Sequence, residues 1–506
     1  VNSSKQFDMV VVGGGVNGTG IARDAAGRGL RVLLCEQDDL AMHTSSRSTK
    51  LIHGGLRYLE HYEFRLVRES LQEREVLLRA APHIIWPLRF VLPHHSGLRP
   101  AWMIRLGLFL YDHLGHRERL PGCGTVSLPR HETGAALQKS FTRGFVYSDC
   151  WVQDARLVVL TALDAAERGA RILTRHRCKS VRREADHWQV DLRANDGLEH
   201  TVSTRTLVNA AGPWANSFLK KARLRQDASE LRLVKGSHIV VPRLFDHPYA
   251  YLFQHADGRV VFAIPYEHEF TLIGTTDVEW RGDPGEVAIE EKEVEYLCSA
   301  VNEYFVVPVS PDAVVWAYAG VRALYDDEAS SASEITRDYV LDLDRDGAPL
   351  LSVFGGKLTT YRKLAEQVME KLRNELPNAG APWTCDATLP GGDLPQADFD
   401  AFLHDVRGRY SWLAPSLCLR YARNYGTRLE KMLGGVHDTA GLGENLGAQL
   451  HEVELQYLRD HEWAQTSEDV LWRRSKLGLF AEAGTAERID TWLARAGVSL
   501  SKSAAH

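Results

Sequence analysis

Phe7-Asp8-Met9-Val10-Val11-Val12-Gly13-Gly14-Gly15-Val16-Asn17-Gly18 is an apolar strand running into a glycine-rich turn, and Val32-Leu33-Leu34-Cys35 is a second strand that delivers Glu36. The spacing is G-x-G-x-x-G inside a βαβ unit, with an acid 21 residues beyond Gly15. Gly13 permits the tight turn, Gly15 lets backbone N–H groups approach a pyrophosphate, and Gly18 lets helix and strand pack closely. The helix N-terminus adds partial positive charge for the phosphates. Glu36 accepts hydrogen bonds from a ribose diol. A glycine-rich turn in another α/β fold would leave Glu36 without a task, so the stretch predicts a Rossmann-like dinucleotide-binding domain of the α/β class.

Working outward, 506 residues are too many for one ordinary core and predict two or three domains. With 25% charged residues, 44% hydrophobic residues and a net charge of -6, the balance is that of a soluble globular protein. A mildly acidic chain gains no general attraction to nucleic acid or anionic lipid, so any anion site is built locally. Seven cysteines without CxxC or metal-ligand spacing predict reduced cytosolic thiols, with Cys35 and Cys178 as core strand residues. Pro93-His94-His95 lacks a spaced carboxylate partner, and no metal site is expected.

The polar start, Val1 to Gln6, leads straight into the first strand, and no signal peptide is expected. No run of 18 uncharged apolar residues is present, so no transmembrane helix is expected. The nearest approach is Pro100 to Leu114, which carries Arg105 and Asp112 and has Trp102 and Tyr111 near its ends. It reads equally as a helix lying in a membrane interface and as a buried core helix.

The chain divides into blocks. Residues 1–80 read as the βαβ unit and a charged helix, Arg65 to Arg79. Residues 81–145, rich in Pro, Gly and His, break regular periodicity as insertions over a site do. A helix from Asp154 to Arg168, the strand Arg171–Leu173, a hairpin turning at Asn195-Asp196-Gly197 and a buried strand ending at Ala210-Ala211-Gly212 follow. From about 230 to 350 strands dominate, with Val260–Ile264 and Thr271–Gly274 as partners in one sheet. Leu350–Phe354 is a further strand, stopped at Gly355-Gly356-Lys357 before a helix. Beyond a linker near 376–394, residues 395–500 carry helical periodicity.

Glycine-bearing strand ends recur at 13–18, 53–55, 210–212 and 355–356. Ligands of an open α/β sheet gather at the carboxyl ends of strands. One extended cofactor that uses all of these ends fits a flavin dinucleotide better than a nicotinamide one, which needs fewer contacts from a single chain.

Thr44-Ser45-Ser46-Arg47-Ser48-Thr49-Lys50-Leu51-Ile52-His53-Gly54-Gly55-Leu56-Arg57-Tyr58-Leu59-Glu60, together with Gly320-Val321-Arg322, Ile335-Thr336-Arg337-Asp338-Tyr339 and Val353-Phe354-Gly355-Gly356-Lys357-Leu358-Thr359-Thr360-Tyr361-Arg362, closely resembles the FAD-dependent, respiratory-chain sn-glycerol-3-phosphate dehydrogenases of the bacterial aerobic type. The resemblance extends through the helical C-terminal region to Leu471-Trp472-Arg473-Arg474-Ser475-Lys476. It implies a glutathione-reductase-like FAD domain of the D-amino-acid-oxidase type (1–80, 150–230, 350–375), an antiparallel substrate-capping sheet domain (81–149, 231–349) and a helical C-terminal domain (388–506). It also implies noncovalent FAD, although His53 is of a type that can carry a covalent flavin. The implied reaction is oxidation of glycerol 3-phosphate to dihydroxyacetone phosphate, with electrons passed to ubiquinone by a homodimer held peripherally on the cytoplasmic face of the inner membrane and partly cytoplasmic.

Removing hydride from a secondary carbinol calls for flavin N5 above the C–H and a base for the hydroxyl proton. His238 is the base of choice, because imidazole titrates near neutral pH; the bland alternative is a satisfied strand histidine. Arg322 is placed to stabilise the alkoxide, and in a second mechanism it does so while water or flavin takes the proton. For the phosphate dianion the resemblance points to Arg57 and Arg337, with a hydroxyl from Tyr58. It places Lys357 and Thr359 at the flavin N1–C2=O edge, with Gly356 and Leu358 in the same turn. The phosphates and ring are assigned to Asn17, Thr44, Ser45, Ser46, Lys50, His53, Gly55 and Leu56. Cys178 to Val181 are expected at the adenine half, with Ala211 and Gly212 behind the pyrophosphate or ribityl chain. The competing expectations are an oxygen-using amine or amino-acid oxidase of the same fold, and a non-catalytic flavin-binding sensor.

Overall fold

The computed structural model describes residues 6–115, 117–222, 224, 231–255, 258–325 and 339–503. Among them, the strands form two sheets of eight and ten members. The first contains β1 (Gln6–Val12), β2 (Val32–Cys35), β7 (Arg171–Leu173), β10 (Glu199–Asn209) and β18 (Leu350–Phe354), with β8 (His176–Arg183), β9 (Trp188–Ala194) and β17 (Val340–Asp344). Its main path runs β17-β18-β10-β1-β2-β7. The second contains β3 (Leu51–Ile52), β4 (Ile85–His94), β5 (Gly124–Ser127), β6 (Arg143–Val152), β11 (Leu231–Pro242), β12 (Ala250–Gln254), β13 (Val260–Tyr266), β14 (Phe270–Gly274), β15 (Val278–Glu279) and β16 (Trp316–Tyr325). The helices of this part are α1 (Val16–Gly27), α2 (Phe64–Ala80), α3 (Ala101–His113), α4 (Asp154–Glu167), α5 (Ala215–Lys221), α6 (Glu291–Asn302) and α7 (Tyr361–Lys371).

β1 reads as a continuous apolar run because both of its faces are covered. Met9 and Val11 pack with Ile21, Ala22, Val159 and Leu364, while Val10 and Val12 pack with Trp188 and Leu207. β1 is parallel to β2 and β10, and β10 is parallel to β18, so the ends of these strands emerge together. Gly18 permits α1 to lie on the turn, since a Cβ there would stand 1.9 Å from the Gly13 carbonyl oxygen.

The C-terminal region packs helices Phe399–Arg409, Pro415–Tyr425, Glu452–Glu462 and Thr485–Ser503 around Tyr421, Leu455, Leu458 and Ile489. Its π-helical turn, Asp469–Arg474, is tied to the rest of the molecule by Arg473 and Arg474, which both pair with buried Asp39.

Several expectations change. Residues 81–145 are not irregular: β4 pairs with β6 along ten residues, from Ile85↔Val152 to His94↔Arg143. Burial on nearly all sides removed the alternation that marks a strand, and Pro87 and Pro93 broke its pattern further. β3 and β6 join the second sheet and β17 joins the first, so the sheets exchange short segments across the expected borders at 80, 149 and 349. α3 is not a core helix: only Leu108 and Tyr111 are buried, while Trp102, Leu106 and Phe109 are more than half exposed. Cys35 is buried, but Cys178 stands partly exposed on a cavity wall.

Candidate active site

The glycine-bearing ends of β1, β3, β10 and β18 meet on one cavity of about 520 Å³, to which the second sheet contributes His238, Thr275, Asp277 and Arg322. At the nucleotide end the wall is largely backbone. Gly13 has φ +116°, and a Cβ there would lie 2.4 Å from the Ala210 carbonyl oxygen. Gly15 carries no capping side chain of its own; the α1 N-terminus is approached by Ser45, whose Oγ accepts from Val16 N at 3.0 Å. Helix N-termini with open N–H groups attract phosphates. Asn17 donates to the Gly355 carbonyl at 3.0 Å, and its buried Oδ1 has no hydrogen-bond partner.

Glu36 stands at the end of β2 and accepts from Gly14 N at 2.6 Å and Asp38 N at 2.9 Å. Burial lifts its carboxyl above the ordinary range, against the pull of these two N–H groups. Ala211, Gly212, Gly356, Lys357, Leu358 and Thr359 complete this side. Thr359 clamps the β18 turn to the end of β3: its Oγ1 accepts from His53 N at 3.2 Å and donates to His53 O at 3.3 Å. The open positions left by glycine, the helix terminus, the buried acid and the unpartnered Asn17 Oδ1 fit a dinucleotide.

Three residues expected on the cofactor stand behind this wall, while Gly18 packs α1 on its strand as its place in the motif predicts. Lys50 is buried with its Nζ on both oxygens of Asp154 (2.9 and 3.0 Å) and on the Ser46 carbonyl (3.2 Å), which turns Lys50 and Ser46 inward. Of the stretch expected at the adenine half, Cys178 lines the cavity together with His176 and Arg177, while Val181 lies in the core of the first sheet.

At the other end of the cavity the wall is made of side chains. His238 on β11 has its Nε2 2.9 Å from Thr49 Oγ1, its Nδ1 without a partner, and its ring stacked on Tyr318 at 4.8 Å. Burial, followed by the nearby charges of Lys50 and Arg322, holds its pKa well below the ordinary histidine value. The imidazole is therefore neutral at physiological pH, which corrects the expectation of a ring titrating near neutrality. Arg322, on the neighbouring β16, pairs with Asp277 and donates from Nη2 to Thr275 Oγ1 (3.1 Å) and the Thr276 carbonyl (3.2 Å). Gly236 makes the space, since a Cβ there would stand 2.3 Å from Arg322 Nη2. Thr44 ties the two ends together by donating to the Val321 carbonyl at 2.6 Å.

Arg57 and Tyr58 follow Gly55 (φ +76°) in the 3-10 turn Leu56–His61, and with Leu56 and His53 they line the same cavity. Arg57 Nη2 donates to the Gly258 carbonyl at 2.9 Å, and Lys357 Nζ sits 4.0 Å from the Tyr58 ring centroid. Arg337 lies outside the described residues. Sequence reasoning passed over Thr49, Arg47, Thr275 and Asp277, all on the wall. The first two stand inside the 44–60 motif, and the others lie within three residues of Gly274, the glycine that ends β14, a signal of the kind used elsewhere.

The model of the family described as FAD dependent oxidoreductase matches residues 8–362. The chain belongs to that family. As a member of it, the protein uses FAD, and the cradle described above is where a dinucleotide fits. Residues 383–503 match the model described as the C-terminal domain of alpha-glycerophosphate oxidase. A glycerol-3-phosphate dehydrogenase of Pseudomonas aeruginosa is 54% identical, with 96% of this chain and 95% of that protein covered. A D-erythritol 1-phosphate dehydrogenase of Brucella abortus is 53% identical, with 93% and 94% covered. Among solved structures, the glycerol-3-phosphate dehydrogenase of Bacillus halodurans complexed with FAD is 28% identical, with a TM-score of 0.78 and coverage of 97% of this chain and 91% of that one.

Proposed function

We propose that the protein oxidises the secondary hydroxyl of sn-glycerol 3-phosphate to give dihydroxyacetone phosphate, and that its electrons go to ubiquinone at the cytoplasmic face of the inner membrane. The observation that carries this reading is the 54% identity, over 96% of the chain, to a glycerol-3-phosphate dehydrogenase. Bound FAD supplies the acceptor for the hydride of the carbinol carbon.

The chain's own residues do the rest. His238, kept neutral by burial and touching the cavity-lining Thr49 hydroxyl, is the acceptor of the hydroxyl proton. Arg322 opposes the negative charge that grows on the oxygen, with Asp277, Thr275 and Thr276 fixing its guanidinium. Arg57 and Arg337 bind the phosphate dianion, with Tyr58 as a hydroxyl donor. Lys357, Leu358 and Thr359 border the flavin ring, and Glu36 holds the ribose of the nucleotide half.

Contact with a membrane is supported by α3. Its exposed face carries Trp102 (65% exposed), Leu106 (51%) and Phe109 (57%). The helix also holds the substrate-side turn, because Tyr111 OH accepts from Gly54 N at 2.9 Å. An apolar face rimmed by aromatics beside the substrate turn suits a lipid-soluble acceptor. Among the described residues no helix is long and apolar enough to cross a membrane. Flotation with liposomes, compared with a W102S/F109S variant that keeps its FAD, tests the attachment, and sizing in solution tests the homodimer.

A second substrate has support in the 53% identical D-erythritol 1-phosphate dehydrogenase. Anaerobic mixing with sn-glycerol 3-phosphate, D-erythritol 1-phosphate or plain glycerol, followed by the flavin absorption band, separates the readings. Fastest bleaching by glycerol 3-phosphate is expected, and none by glycerol. A band that survives both phosphates ends the proposal.

A further inference from the structure

Trp472, Arg473 and Arg474 follow one another on the π-helical turn Asp469–Arg474, and the chemistry above uses none of them. Such turns are uncommon and recur at functional places. The two arginines reach the nucleotide domain at Asp39, whose carboxylate is fully buried between them. The tryptophan reaches the other half of the molecule. Its indole stacks on Trp316 with centroids 4.4 Å apart and 22° between planes. Trp316 packs on Tyr318 at 4.9 Å, and Tyr318 lies on His238 at 4.8 Å and 14°.

The ladder follows from strand geometry. Residues 316 and 318 of β16 share a face, because successive side chains of a strand alternate. Tyr318 is directly opposite His238 in the β11–β16 register, so the two rings come together. The lower end of the ladder closes on itself: Tyr318 OH donates to the Ser48 carbonyl at 2.7 Å, one residue before the Thr49 that holds His238 Nε2. The upper end is equally constrained. Lys476 donates to the Trp472 carbonyl, and Gly478 leaves room for the indole, since a Cβ there would lie 2.4 Å from it.

We propose that Trp472 positions His238 through Trp316 and Tyr318, which makes the C-terminal domain a working part of the substrate site. The proposal rests on His238 being the proton acceptor. It commits Trp472 to a positioning role, because the indole meets His238 only through two other rings. With one π-turn gripping Asp39 on one side and the ladder on the other, the imidazole is held at a fixed attitude to the flavin cradle.

The test uses the full-length FAD-loaded enzyme and stopped-flow flavin reduction at saturating sn-glycerol 3-phosphate. Trp472→Ala is expected to lower the reduction rate by about 10-fold, with FAD content and KM nearly unchanged, since small misorientations of a reacting group are costly. Trp472→Phe, which keeps a flat ring, restores most of the rate. In a His238→Ala background, Trp472→Ala adds no further loss, because the group it orients is gone. A crystal structure of Trp472→Ala is expected to show the Tyr318 and His238 rings no longer parallel.

A full multiplicative loss in the His238→Ala background, or a wild-type rate in Trp472→Ala, overturns the proposal. Full-rate reduction by His238→Ala alone removes the base assignment and this proposal with it, an outcome distinct from the other two. If Trp472→Ala does not hold FAD, Trp472→Leu fills the space without a flat face and is read by the same criteria.

Discussion

The two ends of the cavity are built by different means. The nucleotide end is mostly main chain: strand ends, Gly13 and Gly18 where a Cβ would clash, a helix terminus, and one buried acid held by two backbone N–H groups. The other end, where the substrate is proposed to bind, is mostly side chain, with His238 held by Thr49 from 189 residues away and Arg322 held by Asp277 from 45 residues away. A backbone site fails as a unit when its path is blocked. A side-chain site loses function stepwise while its shape survives.

That contrast predicts the largest difference between two substitutions. Gly13→Val puts a branched side chain at φ +116° and against the Ala210 carbonyl 2.4 Å away. It is expected to abolish FAD retention, read as loss of the flavin absorption band from purified protein. His238→Ala is expected to keep FAD and thermal stability near wild type while slowing flavin reduction by about 10³-fold, the scale of a lost general base. If Gly13→Val retains flavin, or His238→Ala loses it, the division of labour between the two ends is wrong.

The same contrast explains what was legible in the sequence. Gly13 to Gly18 and Glu36 announced themselves because a backbone site is encoded over one contiguous stretch. The convergence of four strand ends was legible too, since each carried its own glycines. Thr49, Asp277 and Thr275 were missed because their tasks exist only once β11, β14 and β16 are in register. Lys50 was misplaced for a related reason: nothing near it in sequence shows that Asp154, from the start of α4, would draw its ammonium inward. The neutrality of His238 was hidden as well, since it comes from burial and from two cations on other segments. The strand β4 escaped because periodicity marks half-buried strands, and this one is covered on most sides.

Acid provides a graded way to loosen the tie between the C-terminal π-turn and the nucleotide end. Asp469 is buried, which by itself would raise its pKa, but Arg474, Arg175 and Arg473 hold it down to about 2 from an ordinary 3.8. A carboxyl depressed on folding contributes stability that is complete above the unfolded value and is lost as pH falls through the folded one. The window is therefore pH 4 down to 2, and the contribution is about 2 kcal/mol. Arg175, freed when Asp469 is protonated, sits beside the Asp38 carbonyl in the loop that follows Glu36. FAD release, followed by its fluorescence, is expected to lead the loss of secondary structure across that window. Asp469→Asn should show the weakened state already at pH 7, with a flatter pH dependence. Release that coincides with unfolding in both proteins would show that this tie does not act on the nucleotide end.

The mildest prediction concerns Thr49, and it sharpens the comparison most. Thr49→Val preserves shape and removes only the hydroxyl that meets His238 Nε2 at 2.9 Å. A neutral hydrogen bond of this kind contributes about 1 kcal/mol net, which corresponds to roughly 5-fold in the rate of flavin reduction. On the proposed role of His238 as the base, the loss is expected in the rate at saturating substrate, with FAD retention near wild type. A loss as large as that of His238→Ala would mean that Thr49 itself carries the proton between substrate and imidazole. No loss at all would mean that the stack on Tyr318 orients the ring unaided. Either result would place the control of His238 on one side of the ring, whereas an intermediate loss divides it between a hydroxyl from the nucleotide-side motif and an aromatic face from the second sheet.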